Sequence, residues 1–188
     1  MPATKIILIR HAEKPDGTAQ GVSEAGKADP EELVVRGWQR SGALVHLFAP
    51  RDGRFAAPQL AQPKTIFASA VGKHSNSLRP QHTVLELSKQ LNLSLDLRYP
   101  KGDESGLAKA AVAASGPVLI AWEHENIPAI VNAVVGNATT CPQKWPDSRF
   151  DLIWVLDQRA ADAGWEFTQV PQMLLSGDSD QTIAASQK

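Results

Sequence analysis

Four short runs of consecutive apolar residues punctuate the chain: Ile6 to Ile9, Thr65 to Ala68, Val118 to Trp122 and Leu152 to Leu156. Runs of this length without polar alternation predict strands buried on both faces, as in a parallel sheet covered by helices on each side. Trp165 to Gln169 alternates instead, as a half-exposed edge strand does, and the short Gly164-containing loop before it is compatible with an antiparallel pair at one side of the sheet. Between the runs, apolar positions recur at helical spacing. Trp38, Leu44, Val45 and Phe48 form one face; Val84, Leu87 and Leu91 form a second after Pro80. Leu107, Ala108, Ala111 and Val112 form a third, with Ser105 as candidate cap and Gly116-Pro117 as stop. Ile127, Ile130, Val131, Val134 and Val135 form a fourth between a cap at Asn126 and Gly136. Glu31 and Glu32, after Asp29-Pro30, read as first-turn charge at a helix start.

Strands alternating with helices predict an α/β fold: a three-layer sandwich with a mostly parallel central sheet flanked by helices and an antiparallel strand at one edge. Residues 12–32 and 49–63, rich in Gly, Pro, Asp and Ala, read as surface loops. One domain is expected over residues 1–171, followed by a weakly ordered C-terminal tail, 172–188, from which Leu174, Leu175 and Ile183 offer the only apolar anchors. With 19 Lys+Arg against 20 Asp+Glu, no excess of charge favours nucleic acid or a membrane surface, so neither is expected as a partner. Ile6 to Ile9 is too short for a secretion signal and no run approaches the roughly 20 residues of a membrane span, so the expected location is the cytoplasm. Cys141 is the single cysteine, which excludes an internal disulfide. Oligomeric state stays open: the end strand near Trp165 either pairs with a second subunit or is blunted by Glu166 and Pro171.

Arg10-His11 directly follows the first strand and His124 follows the third, after Trp122-Glu123. Parallel strands share one carboxyl edge, where α/β proteins bind ligands, so both histidines are expected in one crevice. From the second strand, Ser69 to Arg79 carries cationic and hydroxyl side chains into the next helix at the same edge. Guanidinium groups, helix N-terminal amides and a neutral imidazole together suit a phosphoryl group, which the imidazole can attack.

Ile7-Leu8-Ile9-Arg10-His11-Ala12-Glu13 resembles the Arg-His signature of the histidine phosphatase superfamily, which includes the cofactor-dependent phosphoglycerate mutases. Leu33-Val34-Val35-Arg36-Gly37-Trp38-Gln39 resembles its Leu-Thr-x-x-Gly-x-x-Gln block, with Gln one place early. Ser69, Arg79 and Thr83 resemble its Ser…Arg-x-x-x-Thr block, and Val118 to His124 resembles the strand leading to its second histidine. The four blocks occur in family order from about Lys5 to Leu156. Ala12 stands where the family commonly has Gly. The resemblance implies a sandwich fold and a phosphatase in which His11 becomes phosphohistidine, with Arg10, Arg79 and His124 around the phosphoryl group and no cofactor or metal.

The leaving alkoxide needs a proton donor. Glu125 beside His124 resembles the His-Asp pair of the acid-phosphatase branch and is the first candidate; Asp103, Glu104 and Glu13 are the others. Glu123 and Glu125, flanking His124, are expected to favour its charged form. Lys14, Lys73, His74 and Ser77 are candidate substrate contacts, and Trp122 a candidate pocket wall. Arg36 and Gln39 suit hydrogen bonds that hold the active-site loops. The expected activity is metal-independent hydrolysis of a small phosphomonoester. A phosphomutase, a sensor that binds a phosphorylated ligand without turnover, and a metal hydrolase built from His11, Glu13, His124 and Glu125 are the alternatives.

Overall fold

A computed structural model describes residues 4–73, 75–158 and 164–184. In chain order its elements are β1 (Lys5–Arg10), α1 (Val35–Phe48), β2 (Thr65–Ala68), α2 (Arg79–Leu91), β3 (Leu95–Asp96), α3 (Glu104–Ala113), β4 (Val118–Trp122), α4 (Ile127–Val135), β5 (Leu152–Asp157) and β6 (Glu166–Pro171). The strands form one sheet in the order β3-β2-β4-β1-β5-β6. Alternate residues of each buried strand enter opposite cores, which is why their sequences show no polar alternation. Ile7, Ile9, Leu119 and Ala121 pack with Leu44, Phe48, Val84 and Leu87 of α1 and α2. Ile6, Leu8, Ile120 and Trp122 pack with Leu107, Ala111, Ile130 and Val131 of α3 and α4. This is the expected three-layer sandwich.

β1, β2, β3 and β4 run parallel, while β5 is antiparallel to both β1 and β6. The strand of opposite sense is therefore β5, one place in from the edge, and β6 at the edge runs with the parallel set. This arrangement positions the site. The chain leaves β1, β2 and β4 at one rim of the sheet; the reversed β5 starts at that rim, and β6 ends there. Chain departs from β1 into the α1 layer and from β4 into the α4 layer, so the crevice between these neighbours is a topological switch point.

Several local expectations differ from the structure. β3 is two residues long, too short to show a pattern. Asp103, not Ser105, caps α3, its carboxylate accepting from Gly106 N. α1 starts at Val35, so Glu31 and Glu32 precede it: Glu32 bonds His82 at 2.7 Å, and Glu31 lies 3.7 Å from Arg79 Nη2. Trp122, expected as a pocket wall, is instead fully buried in the α3/α4 core, with its indole N–H donating to Glu104.

In place of the weakly ordered tail expected over 172–188, residues 172–184 lie against the domain. Gln172 donates to the carbonyls of Phe150 and Leu152, and Ser179 N donates to Asp151. The Gln169 side-chain amide bonds both the N–H and the carbonyl of Ile183, whose side chain is buried with Trp154. Residues 185–188 are outside the described residues. No described helix is long and apolar enough to cross a membrane.

Candidate active site

The exit of β1 is stitched on two sides. His11 N extends the ladder to Trp122 O at 2.9 Å. Ala12 N donates to Thr83 Oγ1 at 2.7 Å, and that hydroxyl donates to Arg79 O, tying β1 to the first turn of α2. His11 Nδ1 lies 2.7 Å from Ala12 O. A carbonyl only accepts, so Nδ1 carries the proton and Nε2 holds the lone pair. Burial, joined by the charges of Arg10, Arg79 and Lys14, takes the imidazole pKa well below its ordinary value, against the pull of the Ala12 bond. His11 is therefore neutral, with a defined tautomer and an Nε2 lone pair able to act as a nucleophile.

Arg10 is fully buried, with Nη1 donating to the carbonyls of Asp147 at 2.6 Å, Arg149 at 3.1 Å and Pro146 at 3.3 Å. Its guanidinium lies 3.7 Å from the centre of the Phe150 ring. Burial lowers its pKa to about 10, which leaves it charged at neutral pH. Arg79 donates through Nη1 to Pro30 O. His124 donates through Nε2 to Asp147 Oδ1, the carboxylate being an acceptor.

After these bonds, four buried nitrogens have no hydrogen-bond partner among the described residues: Arg10 Nε and Nη2, Arg79 Nε, and His124 Nδ1. Desolvation of such groups is costly unless something pairs with them. They belong to the three residues that the sequence placed around His11. His11, Arg79 and His124 line one cavity of about 140 Å³ with Lys14, Ser77, Glu123 and Glu125. Burial and the charge of Arg10 hold His124 below its ordinary pKa, against Asp147 and Glu125. The charged form expected from its flanking glutamates is thus not favoured.

The candidate acids occupy different settings. Glu125 reaches the cavity, but it is exposed and 3.3 Å from Lys101 Nζ. Asp103 caps α3, and Glu104 accepts from Trp122 Nε1 and Gly102 N. Glu13 is shared by Arg36 at 3.1 Å and Arg40 at 2.8 Å. Glu123, not considered as an acid from sequence, is buried and lines the cavity. Lys14 and Ser77 also line it, whereas Lys73 is exposed at the turn closed by Gly72 and Ser75 and does not. His74 lies outside the described residues. Arg36 does brace the loop, while Gln39 is exposed. Among the described residues, no group of three or more His, Cys, Asp or Glu side chains converges as a metal site.

Asp147, Phe150, Arg40 and Asp178 escaped the sequence reading. Arg40 and Asp178 form a buried pair at 2.7 Å that also engages Glu13, joining the tail and α1 to the loop after His11. A signal was available for the first two. Antiparallel β5 must begin at the rim where β1 ends, which brings Pro146 to Asp151 to the site.

No protein-family model matches the sequence, and no curated protein is detectably similar. Solved structures are. The chain is similar to a mycobacterial glucosyl-3-phosphoglycerate phosphatase in complex with VO3, at TM-score 0.56 and 12% identity, covering 88% of this chain and 97% of that one. It is similar to a structure described as mycobacterial hydrolase 1, at TM-score 0.53, 12% identity and coverage of 88% and 96%. It is also similar to the protein histidine phosphatase SixA in complex with tungstate, at TM-score 0.50, 18% identity and coverage of 89% and 97%.

Proposed function

The chain has the fold of the histidine phosphatase superfamily, and we propose that it is a phosphatase of this type, hydrolysing a small phosphomonoester through a phosphohistidine on His11 without a metal ion. One observation carries the reading: the open guanidinium donors of Arg10 and Arg79, with the unpartnered His124 Nδ1 beside them, belong to the residues grouped around a neutral His11 whose Nε2 lone pair is free. These donors match the equatorial oxygens of a phosphoryl group in flight, whose charge they stabilise without reorganising. Nε2 attacks phosphorus as the ester P–O bond breaks; water then attacks the phosphohistidine and releases phosphate. That SixA and the mycobacterial phosphatase were solved with tungstate and VO3 supports an oxyanion as the kind of ligand this chain takes. A neighbouring cavity of about 620 Å³, lined by Lys14, Pro15, Val34, Asp147 and Phe150 among others, suits the alcohol portion of the ester.

Hydrolysis of a generic aryl phosphate in chelator tests the proposal. Wild-type turnover that a folded His11→Ala variant loses agrees with it. Turnover that survives His11→Ala, or that chelator abolishes, contradicts it.

A further inference from the structure

Of all carboxyl groups at the rim, Glu123 has the setting least explained by structure. It directly precedes His124 at the end of β4, lines the cavity with His11 and Arg79, and neither of its buried oxygens has a hydrogen-bond partner among the described residues. The hydroxyl of neighbouring Ser69, likewise buried, faces this carboxyl without a well-formed hydrogen bond. A buried carboxylate facing no cation at bonding distance is expensive, whereas a neutral carboxylic acid at the same place is tolerated and holds a proton to give. The other candidates are committed elsewhere: Glu13 to two arginines, Asp103 and Glu104 to the start of α3, and Glu125 to solvent and Lys101.

We propose that Glu123, rather than Glu125, is the catalytic acid and base of the site. The inference rests on the phosphatase reading above. As His11 Nε2 bonds to phosphorus and the P–O bond breaks, the electron pair stays on the ester oxygen, which takes the Glu123 proton and departs as the alcohol. The carboxylate so formed removes a proton from the attacking water as the P–N bond breaks and its pair returns to Nε2. Glu123 then carries its proton again, and phosphate leaves. Burial raises the Glu123 pKa, reinforced by the charge of Glu104 and opposed by its own backbone, Lys101 and Ser69. The remaining ionisable groups on that cavity are His11, Arg79, His124, Lys14 and Glu125.

The test compares wild type, Glu123→Gln and Glu125→Gln on two esters: an alkyl phosphate, whose leaving group needs a proton, and 2,4-dinitrophenyl phosphate, whose leaving group does not. For Glu123→Gln, kcat/KM is expected to fall by about 10²-fold or more on the alkyl ester and by less than about tenfold on the activated one. Label trapped on His11 from the activated ester should accumulate, because the base for the second step is gone. Glu125→Gln should keep the wild-type ratio between the two esters. In the wild type, kcat/KM on the alkyl ester should decline with rising pH as the acid ionises, with no matching decline on the activated ester; this arm holds even where Glu123→Gln does not fold. Wild-type turnover and label together with an unchanged ester ratio in Glu123→Gln, or the changed ratio in Glu125→Gln instead, overturns the assignment and leaves the phosphatase reading standing. Absence of turnover and label in the wild type on both esters overturns both.

Discussion

Arg10 uses one nitrogen for architecture and leaves two unpaired, which the proposed function gives to the phosphoryl group. Its Nη1 is held by three carbonyls of residues 146–149 while Nε and Nη2 stay open. A lysine has a single nitrogen and cannot do both. Arg10→Lys is therefore expected to lower kcat/KM by about 10²-fold, the scale of a misplaced catalytic contact; steady-state kinetics on an aryl phosphate, with a circular dichroism check of folding, decides it. His11 makes a prediction about pH. Its pKa lies well below the ordinary histidine value, so the ring is neutral on both sides of pH 6.5. Nitrogen-15 NMR should find the Nδ1–H tautomer still present at pH 6; a His11 ring half protonated near 6.5 would contradict the buried, carbonyl-bonded geometry.

Between residue and fold stand the elements that hold the loop after His11. α1 approaches that loop so closely that a Cβ on Gly37 would lie 2.6 Å from Glu13 O. Gly37→Ala must push helix and loop apart, at a cost of about 1–3 kcal/mol, and is expected to lower both the melting temperature and kcat. The tail clamps the same loop through Asp178, Arg40 and Glu13. Burial works against the Asp178 carboxylate, but hydrogen bonds from Arg40 and the Leu174 and Leu175 amides, with the Arg40 charge, outweigh it and hold its pKa at about 2. A carboxylate depressed in the folded state contributes stability above its unfolded pKa, roughly 3.9, and loses it as pH falls through the folded value. Acid unfolding of Asp178→Asn, compared with wild type between about pH 4 and pH 2, should therefore show a flatter loss of stability. Equal slopes would mean that the pair contributes nothing.

These elements also show where the sequence was legible. Strand runs such as Ile6 to Ile9 and the helix stripes were visible because burial on defined faces imposes a period, and Arg10, His11, Arg79 and His124 were visible because they follow strands or open a helix. Asp147 and Phe150 were not, because their role depends on the reversed sense of β5, which no local pattern encodes. The clamp was hidden for a similar reason. Composition reads the segment around Asp178 as solvated, whereas it is held by the buried pair with Arg40 of α1 and by the side-chain amides of Gln169 and Gln172.

At the scale of the molecule, two cores and a bidirectional sheet converge on one rim, and the proposed function makes that rim an oxyanion site. A tetrahedral oxyanion bound to the native state should raise the melting temperature, by the equivalent of about 2.7 kcal/mol at a hundredfold excess over its Kd. Inorganic phosphate or tungstate should do so for wild type and much less for Arg79→Ala. Equal shifts in both proteins would place the anion elsewhere. An anion site alone, however, is not a phosphatase; a phosphohistidine on His11 makes it one. That intermediate is tested most directly by mixing the protein with a phosphorus-32 labelled phosphomonoester, quenching in denaturant and asking which residue carries label. An acid-labile, base-stable phosphoramidate on His11, absent from His11→Ala, is the expected result; phosphate turnover with no protein-bound label, or label on another residue, would contradict the phosphohistidine route.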